Sequence, residues 1–181
     1  MSSTIESRRL KAEQLMTTCS NQFSKCAVIS TLDLVNIMEQ KSTHSDGIVS
    51  PILVDVRSKE ERDVSMIPGG ISVEEFEAMI KENPKQYKSQ LIVPYCTIGY
   101  RSGKYGTQLM EKHGFTNVRN GEGIVLWTYQ GADLVTKKEE GIVSTKVVHT
   151  FGSAWNLAAD GYSTVQFGVL AFAYQGLLAL A

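Results

Sequence analysis

The stretch LIVPYCTIGYRSGKYGTQLMEKHGFTNV, residues 91–118, holds the pattern that decides the fold. It opens on an apolar run of strand type, LIVPY, and passes through a loop with Gly99 and Gly103. Tyr105, Leu109 and Met110 then fall at helical spacing, and His113-Gly114 places a glycine just past the helix end. TNVRN follows as a short strand. Strand, loop, helix and strand in that order form one parallel crossover unit.

The same alternation continues outward. Upstream, AVI at 27–29 is a strand candidate, and STLD at 30–33 offers a capping box through Ser30 and Asp33 ahead of the apolar stripe Leu34, Ile37 and Met38. ILVDV at 52–56 suits a strand buried on both faces. SKEERD is a charged helical turn, IPGG at 67–70 is a turn, and Ser72 with Glu75 caps a helix carrying Phe76, Met79 and Ile80. Downstream, GIVLWTYQG reads as a helix ending at Gly131. The spacing predicts an α/β domain with a mainly parallel sheet over about 27–136.

Extensions flank it. Residues 1–26 suit a modest surface helix without a strong cap. In 137–181, TKKEEG reads as a charged linker, IVSTKVVHTFGSAWNLAADGYST as a strand followed by a loop, and VQFGVLAFAYQGLLALA as a hydrophobic helix. That last run is shorter than the roughly 20 residues that span a bilayer, so packing on the domain or a partner is the first expectation and a membrane contact through 165–181 the second.

Lys and Arg number 18 against 19 Asp and Glu, which excludes a partner recognised by bulk charge, nucleic acid included. Cys19, Cys26 and Cys96 make an odd count with no signal peptide before them, pointing to a reducing compartment, with the cytoplasm as the default and an organelle or membrane surface left open. No cysteine or histidine pair has zinc-ligand spacing, so no metal and no cofactor are expected.

The chemistry concentrates where the strand ends. A loop between Cys96 and a helix beginning near Ser102 lies where open α/β sheets put their ligands. Gly99 and Gly103 let successive N–H groups converge at the helix N-terminus. A helix terminus supplies about 0.3–1 kcal/mol, less than one pKa unit, so the dipole alone cannot ionise a thiol at neutral pH. Converging amides together with the Arg101 charge can, and a thiol needed only for packing gains nothing from either.

On three stretches, ILVDVRSKEERDVSMIPGGI, LIVPYCTIGYRSGKYGTQLMEKHGFTNV and RNGEGIVLWTYQGADLV, the chain resembles the rhodanese family of sulfurtransferases. The resemblance implies a parallel five-stranded sheet flanked by helices, with helical N- and C-terminal extensions added in this chain. It implies Cys96 as a sulfur-accepting nucleophile, Arg101 as the group binding the donor's anion, and Thr97, Ile98, Gly99, Tyr100 and Ser102 as the loop around the substrate. Asp55 and Arg57 match a structural ion pair, and Trp127 packs the final helix. The implied donor is thiosulfate or a similar anion, and the acceptor is cyanide or a thiol.

Two alternatives stand beside it. The extensions suit an interaction or regulatory module docking through the tail. A phosphatase or arsenate reductase comes next, although related phosphatases place five residues between cysteine and arginine where this loop has four. Pro94 departs from the family pattern and predicts a bulge or a lost ladder bond beside the site.

Overall fold

The structure is a computed structural model that describes residues 2–43 and 50–167. Its elements run α1 (Ser2–Ser20), β1 (Val28–Ile29), α2 (Thr31–Thr43), β2 (Ile52–Asp55), α3 (Lys59–Val64), β3 (Ile71–Ser72), α4 (Val73–Glu82), β4 (Ile92–Tyr95), α5 (Tyr100–His113), β5 (Asn120–Gly121), α6 (Ile124–Trp127), β6 (Leu134–Lys138), β7 (Gly141–Thr145), β8 (Val147–His149) and β9 (Ser163–Val165). The capping signals explain where helices begin. Ser58 with Glu61, and Ser72 with Glu75, form complete capping boxes at α3 and α4, and the Ser30 hydroxyl accepts the Asp33 N–H. Gly114 and Gly131 stop α5 and the 3-10 turn after α6 in the left-handed conformation, at φ 66° and 68°.

All pairings among the first five strands are parallel, and the order is β1-β5-β4-β2-β3. The expected continuous five-stranded sheet is instead two ladders, β3-β2-β4 and β1-β5, joined through the single bridge between Ile92 and Val118. Pro94 supplies the physical reason. Ile92 exchanges both backbone bonds with the Asn117–Arg119 segment, whereas the Tyr95 carbonyl accepts from Val56 N–H on the β2 side. Backbone groups alternate sides along a parallel strand, so Pro94 faces β5, where it has no N–H to give. The register with β2 runs from Ile52↔Ile92 to Asp55↔Tyr95 without an inserted residue, so the proline costs a ladder bond and causes no bulge.

Alternate residues of the central strands enter two cores. Leu53, Val93 and Tyr95 pack with Leu34, Ile124 and Trp127 on one face, while Val54 and Ile92 pack with Phe76, Leu109 and Phe115 on the other. A third cluster joins Ala12 and Met16 of α1 to Ile98, Val125, Leu126 and Leu157. The first extension is therefore docked on the domain and not merely on its surface. Arg8 adds a bond to the Ala158 carbonyl and an ion pair with Asp160.

The second extension departs from expectation in its described part. TKKEEG is no linker: β6 and β7 form an antiparallel hairpin whose turn is Glu139-Glu140, and β8 pairs with β9 in parallel. Between 137 and 167 the extension is thus β-rich, not helical, because Val, Ile and Thr dominate its paired segments. The predicted hydrophobic helix falls mostly on 168–181, outside the described residues. Among the described residues no helix is long and apolar enough to cross a membrane.

Candidate active site

The Cys96 loop is shaped from both ends. Upstream, β4 ends at Tyr95, whose buried hydroxyl accepts the Ile67 N–H. Downstream, Gly99 adopts φ 94° and opens α5, and its carbonyl accepts from the Asn120 side chain at 2.9 Å. The first turn of α6 fixes the orientation of the peptides between them. Ile124 N–H donates to the Cys96 carbonyl at 2.9 Å, and Val125 N–H to the Thr97 carbonyl at 3.3 Å. A trans peptide that sends its oxygen one way sends its N–H the other, so the Ile98 N–H turns toward the sulfur.

Gly123 permits this approach. Its φ is 103°, and a Cβ there would stand 2.5 Å from the Thr97 oxygen.

The sulfur is surrounded by donors. Gly99 N–H lies 3.2 Å and the Ser102 hydroxyl 3.4 Å from Cys96 Sγ, and the residue is 2% exposed. Burial is the largest influence on the thiol and opposes its charge. The Arg101 charge, the Ser102 hydroxyl and the N–H groups of Ser102 and Ile98 together outweigh it, so Cys96 ionises below the ordinary thiol range.

Arg101 does not present a free fork. Its Nη1 and Nη2 donate to the two oxygens of buried Glu61 at 2.6 and 2.8 Å, and Nη2 also donates to Thr97 Oγ1 at 3.2 Å. His149 Nδ1 stands 3.3 Å from the same carboxylate. Burial pushes Glu61 up, but the two Arg101 bonds, with His149 close by, hold it well below the usual carboxylate range. The expected arginine therefore sits beside Cys96 with its charge oriented and largely matched.

Asp55 and Arg57 are both fully buried, joined by bonds of 2.7 and 2.9 Å from the guanidinium, which also donates to the Ser65 carbonyl. Burial disfavours the charge on Arg57, and Asp55 beside it more than offsets that. Trp127 is buried among Leu34, Val93 and Leu134, with its indole N–H donating to the Asp133 carbonyl. These three residues shape the ground beneath the loop and do not reach the sulfur pocket.

That pocket, about 370 Å³, is lined by Cys96, Thr97, Ile98, Tyr100 and Arg101, and also by Cys19, Phe151 and Trp155. Phe151 stacks over the Arg101 guanidinium at 5.4 Å and meets Trp155 edge-on. Tyr100 is half-exposed and meets Phe23 edge-on. A larger cavity of about 480 Å³ lies between α4 and α5 around Ile80, Tyr105 and Phe115, and no cysteine lines it. Among the described residues no cluster of His, Cys, Asp or Glu could hold a metal ion.

Glu61, His149, Phe151, Trp155 and Cys19 were not expected at the site. Glu61 carried one signal, its capping box with Ser58, and the aromatic run HTFGSAW at 149–155 carried another.

The rhodanese-like domain family matches residues 31–128. The chain belongs to the rhodanese-like domain family. A curated tRNA uridine(34) hydroxylase of Staphylococcus saprophyticus is 36% identical over 93 residues, covering 49% of this chain and 28% of that protein. The crystal structure of a thiosulfate sulfurtransferase from Pseudomonas aeruginosa superposes with a TM-score of 0.52 at 18% identity, covering 72% of this chain and 24% of that one. The chain thus spans about a quarter of the length of either relative, and the second likeness shows the rhodanese-like fold alone.

Proposed function

We propose that the protein is a sulfurtransferase that carries sulfane sulfur as a persulfide on Cys96, with 27–136 as the catalytic domain and the two extensions as walls of its pocket. One observation carries this reading: a buried thiol held below its ordinary pKa by converging N–H groups, the Ser102 hydroxyl and an adjacent guanidinium. Family membership supports it.

The Cys96 thiolate attacks the outer sulfur of thiosulfate. A Cys96 S–S bond forms, the bond to the sulfonate sulfur breaks, and its electron pair leaves with sulfite. The persulfide anion stays within reach of the same N–H donors that hold the thiolate. Cyanide or a thiol then takes the outer sulfur, and the electron pair of the broken bond returns to Cys96. Arg101 acts by its fixed charge near the sulfur, while Glu61, with His149 beside its carboxylate, holds its fork in place. The Thr97 hydroxyl accepts from that fork, and Tyr100 and Ile98 border the donor.

The Arg101–Glu61 pair favours this chemistry over phosphate transfer. A phosphatase uses its arginine as a two-pronged clamp on the phosphoryl oxygens, and here both prongs already meet a carboxylate. The three free thiols suit a reducing compartment.

The test is steady-state release of sulfite from thiosulfate with cyanide as acceptor, beside hydrolysis of an aryl phosphate. Sulfite release that vanishes in Cys96→Ser is the expected result. Aryl phosphate hydrolysis without sulfite release would overturn the reading.

A further inference from the structure

Cys96 shares its pocket with a second thiol. Met16, Cys19 and Ser20 fall on one face of α1, and that face lies against the loop: Met16 Cγ stands 3.4 Å from where a Cβ on Gly99 would be. Cys19 and Cys96 both line the 370 Å³ pocket. Cys96 is 2% exposed, whereas Cys19 is half-buried and reaches solvent. Cys26 is elsewhere, buried with Phe76, Leu109 and Val118 on the other side of the sheet.

We propose that Cys19 takes the sulfane sulfur from Cys96 and hands it to acceptor thiols at the pocket mouth. This relay rests on the Cys96 persulfide reading above. The Cys19 thiol gives its proton to the outer sulfur of the Cys96 persulfide anion, and the Cys19 thiolate so formed attacks that now neutral sulfur. A Cys19 S–S bond forms, the Cys96 S–S bond breaks, and its electron pair returns to Cys96 as the thiolate. The Cys19 thiol proton ends on the transferred sulfur, so charge and atoms balance with no added oxidant or reductant.

Two features favour this direction. Thiol exchange is faster when the leaving sulfur has the lower pKa, and the loop donors make Cys96 that sulfur. Burial, with the nearby Cys96 charge, pushes the Cys19 thiol up, and the thiol of higher pKa is the stronger nucleophile and the poorer leaving group. The half-buried position then gives a bulky acceptor a sulfur that the 2%-exposed Cys96 does not offer.

Trypsin separates the three cysteines into peptides 12–25, 26–41 and 89–101. Full-length protein is mixed with one equivalent of thiosulfate, quenched at successive times in denaturant containing an alkylating agent, digested and weighed. The relay predicts an extra sulfur first on 89–101 and later on 12–25, with none gained by 26–41. In Cys19→Ser the sulfur stays on 89–101, and turnover with glutathione falls several-fold.

Sulfur that remains on 89–101 in the wild type overturns the relay and leaves the persulfide reading intact. Sulfur spread equally over 12–25 and 26–41 is unselective exchange and also overturns it. Sulfur on none of the peptides removes both readings together.

Discussion

Gly123→Ala is the sharpest perturbation of the loop. A Cβ at 123 would lie 2.5 Å from the Thr97 oxygen, 2.7 Å from its carbonyl carbon and 2.9 Å from the Ile98 nitrogen, where ordinary contact begins at 3.4 Å. All three are backbone atoms, so relief requires the Thr97–Ile98 peptide to move by several tenths of an ångström. That displacement loosens the bonds from Ile124 and Val125 to the Cys96 and Thr97 carbonyls. Strain at positive φ and two weakened hydrogen bonds together cost about 2–5 kcal/mol. At roughly 2–4 °C per kcal/mol for a chain of this size, Tm falls by about 4–20 °C.

The same shift turns the Ile98 N–H away from Cys96, so the thiol titrates at higher pH. Peptide-resolved alkylation of 89–101 against pH reads that midpoint. Gly131→Ala is the control: it also sits at positive φ, 68°, but a Cβ there meets nothing within 4 Å. It should lose about 1 kcal/mol and leave the Cys96 midpoint in place. Equal Tm losses in the two variants, with no change in either midpoint, would refute the view that α6 aims the loop.

Three further outcomes follow from the geometry. Asp55→Asn leaves the fully buried Arg57 charge unmatched and should cost about 3–5 kcal/mol in urea unfolding. Glu61 ionises far below its ordinary value, near 4.5, so its stabilisation is present above that pH and is lost as acid protonates it. Glu61→Gln should therefore flatten the fall of Tm below about pH 4.5, and an unchanged acid limb would contradict the assignment. Burial pushes the Cys26 thiol up to about 11. Iodoacetamide at neutral pH should modify peptide 89–101 first and 26–41 last, and the reverse order in native protein would contradict the site electrostatics.

Local pattern made much of this fold legible. Alternation of LIV-type runs with capped amphipathic segments requires only neighbours in sequence, and so do Gly114 and Gly131 at helix ends. The loop was legible for the same reason, since Cys96, Gly99, Arg101 and Ser102 lie within seven positions. What was hidden depends on distance along the chain. Glu61 announces itself as a capping residue, and nothing in its surroundings says that Arg101, forty positions away, closes on it. Phe151 and Trp155 lie in short irregular segments without periodicity, so their place over the pocket comes from the β8–β9 pairing. Pro94 was legible as a lost bond but not as to side, because which neighbour a strand residue faces is set by register.

The most direct measurement is the intact mass of the protein after exposure to thiosulfate and removal of excess donor, with Cys96→Ser alongside. The account predicts one added sulfur atom on the wild type, none on Cys96→Ser, and its loss on adding cyanide. A wild-type protein that gains no sulfur, or a Cys96→Ser protein that gains as much, would contradict it.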